Sequence, residues 1–411
     1  MKAILPKIKF NNFYEKWNRK TLQSIAPLRG GFAFKSEKFQ NVGIPIVRIS
    51  NIGFDGTVGG EFEYYSKLSP DEKFVLKGRS LLLAMSGATT GKIAMLDSEE
   101  EYYQNQRVGY FQNNGAVDYD FISSVLQTKA FTNQLNAVLV AGAQPNISSK
   151  EIDSFVFCIP ESLDEQSTIG SLFRTLDDLL ASYKDNLANY QSFKATMLSK
   201  MFPKAGQTVP EIRLDGFEGE WENIRLGDCA IIKGRLGWKS LKQEEYTEVG
   251  PSMIAGKHIK NGVIDWGEVD HIPQWRYDES PDIMLENGDI IFSKDGSLGN
   301  PALVSNLKGE ATINSTMMLV RLEKKVSSQF FYQVLTSSVF QKLIYLKVSG
   351  SSIPHLFQAD MQDFRFFAPC IEEQQAIGTY FSNLDSLISA HQEKISQLET
   401  LKKKLLQDMF I

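Results

Sequence analysis

The chain has 411 residues, 42% of them hydrophobic and 23% charged, which is the balance of ordinary globular domains and too long for one core. A net charge of −5 argues against a protein that coats nucleic acid non-specifically, so any phosphate contact must come from local basic patches. The cysteines Cys158, Cys229 and Cys370 are odd in number and far apart, fitting a reducing cytoplasm; Met1 to Phe10 lacks a secretion signal, and no apolar run reaches membrane length.

In chain order, the first segment, LPKIKFNNFYEKWNRKTLQSIA (Leu5 to Ala26), returns as VPEIRLDGFEGEWENIRLGDCA (Val209 to Ala230). A shift of 204 pairs Pro6 with Pro210, Phe13 with Phe217, Trp17 with Trp221 and Leu22 with Leu226. Further along, Gly43 matches Gly250, Asn105 matches Asn314, Phe155 matches Phe364 and Pro160 matches Pro369. Ordered matches over nearly the whole length make the chain one unit written twice. Within each copy, short β-type runs lie between glycine-rich turns: Ile44 to Ile49 and Ser80 to Met85, then Asp289 to Ser293 and Thr316 to Leu322. Helical patterns are predicted at Phe121 to Leu139 and Gln329 to Lys347. Each copy is therefore expected to be α+β with a loop-rich sheet.

The most regular segments follow Pro160 and Pro369. Apolar residues step by four and three at Ile169, Phe173, Leu176, Leu180, Tyr183, Leu187 and Tyr190, and again at Ile377, Phe381, Leu384, Ile388, His391, Ile395 and Leu398. Lys194 and Lys402 interrupt the two series at equivalent places. Asp164, Glu165, Glu372 and Glu373 fall in the first turns, where carboxylates suit the helix dipole. A single stripe on a helix of ~37 residues, roughly 55 Å long, needs a partner, and matched seams predict that the helices pair antiparallel as a coiled coil. The expected division is 1–160, a helix over 161–203, 204–369, and a second helix over 370–411.

Catalytic motifs are not found. Ser86 to Lys92 (SGATTGK) misses the phosphate-loop spacing, and Ile93 stands where a magnesium-binding hydroxyl belongs. Pro70-Asp71-Glu72-Lys73 is acidic but reads as a solvated turn, and His258, His271, His355 and His391 show no metal spacing. No cofactor, metal or catalytic residue is expected.

The pattern Pro-x-[IV]-[KR]-[FL]-x-x-[FY]-x-x-x-Trp at Pro6–Trp17 and Pro210–Trp221 opens each half. Pro160, Glu165-Gln166, Leu176-Asp177 and Met201-Phe202 close the first half; Pro369, Glu373-Gln374, Leu384-Asp385 and Met409-Phe410 close the second. This combination resembles the specificity subunit of type I restriction–modification systems over residues 5 to 410. The resemblance implies two target recognition domains, each reading half of a split, asymmetric double-stranded DNA site. It also implies that the helices are both spacer and docking surface for two methyltransferase (modification) subunits, which restriction subunits then join. Base readout needs hydrogen-bonding side chains on loops. The candidates are Arg29, Lys35, Arg48, Asn51, Thr89, Thr90, Lys92, Gln106, Arg107, Gln144 and Asn146 in the first half. In the second they are Lys233, Arg235, Lys239, Lys257, His258, Lys294, Ser297, Asn314, Ser315 and His355. Unlike loops, RGGFAFK (29–35) against KGRLGWK (233–239), predict unlike half-sites. The competing reading is a non-catalytic coiled-coil scaffold with two ligand-binding domains.

Overall fold

The glycine-punctuated β runs of the first half build a six-stranded sheet in the computed structural model, which describes residues 6–141, 146–204, 206–236, 241–349 and 354–410. Its strand order is Leu28–Arg29, Val108–Phe111, Val75–Ala84, Ile93–Gln104, Ile44–Val47, Glu63–Tyr65. The sheet curls until Phe32, just past the first strand, bridges Asn105, just past the fourth. Leu82, Leu96, Val47 and Val108 fill its interior. In the second half the same path is cut in two. Ala230–Gly234, Met317–Leu322, Ile290–Ser293 and Gly299–Leu303 form one sheet, while Asp270–His271, Thr247–Ile254 and Ala311–Ile313 form another. The 12-residue strand Ile93–Gln104 thus corresponds to two strands here, parted by turns at Asn306 and Gly309, both at positive φ.

Each helical pattern that sequence periodicity reads as one helix is two. Tyr119–Val125 is followed by Lys129–Ala141, and Ser328–Thr336 by Ser338–Ser349. A hydroxyl causes both breaks. Thr128 Oγ1 donates to Val125 O at 2.7 Å and accepts from Phe131 N–H, and Ser337 Oγ donates to Val334 O at 2.6 Å and accepts from Val339 N–H.

The long helices run Leu163–Lys200 and Ile371–Asp408. The chain divides into two compact units whose boundaries fall inside these helices: residues up to Lys184 with those from Glu393, and Asp185–Gln392. In the first unit the helices meet antiparallel through Asp177–Lys402 and through Lys184–Glu399 at 2.8 Å. In the second they meet through Asp385–Lys194 and through Tyr190 against His391, ring centroids 5.1 Å apart. The lysines that interrupt the seams are therefore each paired with the aspartate of the other helix's Leu-Asp. A parallel pairing in the same register would oppose Lys194 with Lys402, so these residues help select the antiparallel orientation. Ile169, Phe173, Leu176, Leu180, Ile377, Phe381, Leu384 and Ile395 are buried, and Leu187 and Ile388 half-buried.

The opening and closing motifs meet. In the first unit Trp17, Phe121, Phe173 and Phe410 form one aromatic cluster with centroids 5.6–6.1 Å apart. In the second, Trp221, Phe330, Phe381 and Phe202 repeat it at 5.6–6.3 Å. Gly170 and Gly378 let each long helix touch its lobe: a Cβ would stand 2.6 Å from Phe121 N in the first and 3.0 Å from Phe330 N in the second. The carboxylates Asp164, Glu165, Glu372 and Glu373 lie in the first turns as expected, and the Glu-Gln pairs also tie each helix to its lobe. Gln166 accepts from Asp118 N–H and donates to Pro160 O, and Gln374 accepts from Ser327 N–H and donates to Pro369 O. Glu165 is buried and accepts from the Trp17 indole at 3.1 Å, and burial raises its pKa. Glu373, fully buried, takes a two-pronged bond from Arg213 at 2.9 and 2.7 Å. No helix among the described residues is long and apolar enough to cross a membrane.

Candidate nucleic-acid interface

In the first unit, backbone bonds gather five loops. Gln106 N–H donates to Phe32 O, Asn105 N–H to Val47 O, Met85 N–H to Arg107 O and Ile147 N–H to Met85 O, and Thr89 Oγ1 reaches Ile49 O at 3.5 Å. In the second unit the same bonds recur in a different sequence. Asn314 N–H donates to Ile254 O, Lys294 N–H to Thr316 O, and Leu356 N–H to Lys294 O. The frame is common to both, and the side chains it carries are not. Arg107 corresponds to Thr316, Met85 to Lys294, and Asn146 to His355.

Several candidates turn out to build this frame rather than project from it. Asn51 is 2% exposed; its carbonyl accepts from Arg48 N–H and its amide donates to Gly59 O and Glu61 O. His258, equally buried, is its counterpart: Nδ1 accepts from Ala255 N–H at 3.0 Å. Burial lowers the pKa of His258, with Asp270 opposing that shift. Arg29 is tied to Gln104 Oε1, Glu72 O and Val75 O, with Tyr110 under its guanidinium at 4.6 Å. Arg235, 3% exposed, donates to Ile313 O, Thr312 Oγ1 and Ser280 Oγ. The structural arginine has moved two places between the copies, from Arg29 to Arg235, with Lys233 at the position of Arg29. Asn314 accepts from Thr316 N–H and Oγ1 and holds its turn. Asn51, His258, Arg29, Arg235 and Asn314 thus each bond backbone or neighbouring side chains within the loop frame.

The rest remain at the surface. Lys35, Gln106, Arg107 and Asn146 are exposed, and Arg48 is half-buried with Glu63 at 3.5 Å. Thr90 donates to Gly87 O, and the Lys92 ammonium lies 2.8 Å from the centre of the Phe54 ring, itself 90% exposed. In the second unit Ser297 is exposed and Ser315 half-buried, while the lysines sit against carboxylates: Lys233 with Asp282 at 3.7 Å, Lys257 with Asp270 at 2.8 Å, Lys294 with Asp295 at 3.6 Å. His355 Nδ1 bonds Asp295, and its ring lies 4.3 Å from that of Phe357, 59% exposed. Gln144 and Lys239 lie outside the described residues. Sequence reading passed over Asp295 and Phe54 because it sought cations and amides. The Asp71 carboxylate is held by Lys67 and the Tyr103 hydroxyl, and the lysine lowers its pKa. Among the described residues no group of three or more His, Cys, Asp or Glu could hold a metal ion.

Two lobes with one loop frame and unlike loop side chains define a duplicated recognition protein. The family model described as "Type I restriction modification DNA specificity domain" matches residues 14–189 and again 218–400, and the chain belongs to that family. A specificity subunit of the type I restriction enzyme MjaVIII of Methanocaldococcus jannaschii is 20% identical over 346 residues, 82% of this chain and 79% of the relative. The EcoBI specificity subunit of Escherichia coli is 22% identical over 431 residues, 97% and 86% of the two chains. Among solved structures, the crystal structure of a type I restriction–modification S subunit from M. genitalium superposes with a TM-score of 0.66 at 17% identity, covering 99% of both chains. As a member of this class the chain is a non-catalytic recognition subunit of a type I restriction enzyme.

Proposed function

We propose that each lobe reads one half of a split, asymmetric duplex DNA target, and that the chain directs methylation and restriction of that target by partner subunits in the cytoplasm. The observation that carries this reading is the repeated loop frame, whose three equivalent main-chain bonds hold unlike side chains in the two units. A scaffold for one repeated ligand would keep the side chains and has no need to vary them. In the first unit the set is Lys35, Arg48, Thr89, Thr90, Lys92, Gln106, Arg107 and Asn146. In the second it is Lys233, Lys257, Lys294, Ser297, Ser315 and His355. Arginine and lysine suit guanine acceptors and phosphates, and amides and hydroxyls suit adenine or either base. Two methyltransferase subunits and the restriction subunits would supply the remaining phosphate neutralisation that a chain of net charge −5 lacks. The two unbroken 38-residue helices would fix the interval between half-sites.

The test is the methylation motif of cells carrying this chain with its partner subunits, read by single-molecule sequencing. A two-part motif is expected, with one part replaced when the loops of one lobe are exchanged. A loop exchange that changes both parts, or neither, overturns the reading. Inserting one heptad into both long helices is expected to lengthen the gap and leave both parts unchanged.

A further inference from the structure

In the second unit, the loop after strand Ile290–Ser293 and the segment around His355 are stitched together at two levels. Leu356 N–H donates to Lys294 O, and Asp295 and His355 form an isolated antiparallel bridge. Above that backbone the Asp295 carboxylate accepts a hydrogen bond at His355 Nδ1, and the Lys294 ammonium stands 3.6 Å from the other carboxylate oxygen. The first unit has the same backbone stitch, Ile147 N–H to Met85 O, with Ser86 and Asn146 at the positions of Asp295 and His355. The frame is shared and the dyad belongs to one unit alone.

We infer that His355, oriented by Asp295, is a specificity-determining residue that accepts a hydrogen bond from the exocyclic amine of a base in the major groove. The inference rests on the DNA-reading function proposed above. An ionised carboxylate only accepts hydrogen bonds, so Nδ1 must carry the hydrogen of the bond it donates to Asp295. In the neutral ring that leaves Nε2 as an acceptor, and the partner fixes the tautomer as well as the orientation. The side chains of His355 and Asp295 are 30% and 34% exposed, so the dyad is neither buried in a core nor loose in solvent. Phe357, 4.3 Å from the imidazole and 59% exposed, packs against the ring. In the major groove the donors offered by bases are adenine N6 and cytosine N4, and these are the groups an Nε2 acceptor fits. The duplicated position in the first unit carries Asn146, an amide with both donor and acceptor, so a different preference is expected there.

The experiment uses the assembled complex of this chain with its modification partners and a pool of duplexes randomised over the target. Wild-type chain is expected to select a two-part motif. His355→Ala should leave one part intact and make a single base pair of the other part indifferent. At that pair, replacing adenine by purine, or cytosine by 2-pyrimidinone, removes the amine. This should weaken wild-type binding about tenfold and leave His355→Ala unaffected. Asp295→Asn, which keeps the ring but no longer dictates its tautomer, should reduce the penalty for the amine-free base. An unchanged motif in a folded His355→Ala complex, or equal sensitivity of both proteins to the amine-free base, overturns the inference. Absence of any two-part motif with the wild-type chain overturns the DNA-reading function instead.

Discussion

Truncating the phenylalanine at the end of each long helix should separate the two units energetically. Phe202 is 6% exposed and packs against Trp221, Phe330 and Phe381 at centroid distances of 5.9, 5.6 and 6.3 Å. Removing a ring this buried costs about 3–4 kcal/mol, transfer and cavity together. Phe410 makes the equivalent contacts with Trp17, Phe121 and Phe173 but is only half-buried, so about 2 kcal/mol is expected there. For a unit of roughly 200 residues, each kcal/mol moves the transition by about 2–4 °C. Calorimetry of the full chain should therefore show Phe202→Ala lowering one transition by about 6–16 °C, and Phe410→Ala lowering a different one by about half as much. If both variants moved the same transition, or if Phe202→Ala cost under about 1 kcal/mol, the assignment of these rings to two separate cores would fail.

Glu165 supplies a pH-dependent prediction. Its folded pKa is raised by burial, so the native state binds more protons than the unfolded chain between the ordinary glutamate range and the raised value. Stability should fall as pH rises through that window, and Glu165→Gln, which can still accept from Trp17, should abolish the fall and melt higher at neutral pH. Lys9→Arg, which copies Arg213 onto the equivalent residue, should stabilise the ionised carboxylate, seen as a higher melting temperature at pH 7 and none at pH 4. Asp385→Lys, opposing Lys194, should destabilise by about 1–2 kcal/mol, and adding Lys194→Asp should recover most of it, measured as a double-mutant cycle in urea. Arg235→Ala should cost about 2–4 kcal/mol by stranding the acceptors on Ile313, Thr312 and Ser280, with the loss seen in melting as well as binding. Arg107→Ala, by contrast, should leave melting within about 0.5 kcal/mol and lower the salt dependence of DNA affinity by about one phosphate contact.

The duplication, the paired helices and the class of protein were legible because they are written in spacing and order, which sequence preserves directly. The partners of Lys194 and Lys402 were not, since the aspartates they meet are 191 and 225 residues away. Glu165 and Glu373 look like dipole residues locally and become buried partners of Trp17 and Arg213 only once the chain has folded. Some candidate readers are loop residues whose polar groups the backbone uses. Asn51 and His258 share a capping role invisible in their identities, because the spacing of three residues to an N–H carries no side-chain signature. The single helices expected at Phe121 to Leu139 and Gln329 to Lys347 were broken by one hydroxyl each, at Thr128 and Ser337, which apolar periodicity does not register.

Phe202 and Phe410 also set a timetable. The Phe202 ring is made before the lobe it fills, so that lobe can close once the helix carrying Phe381 has followed it. The ring that completes the first core lies 237 residues beyond Phe173, its neighbour in the cluster. At 5–20 residues per second the first lobe waits roughly 10–50 s after its own strands are synthesised, with Trp17 and Phe121 uncovered in the interval. Translation speed and chaperone supply, more than intrinsic stability, should then govern the yield of the first lobe.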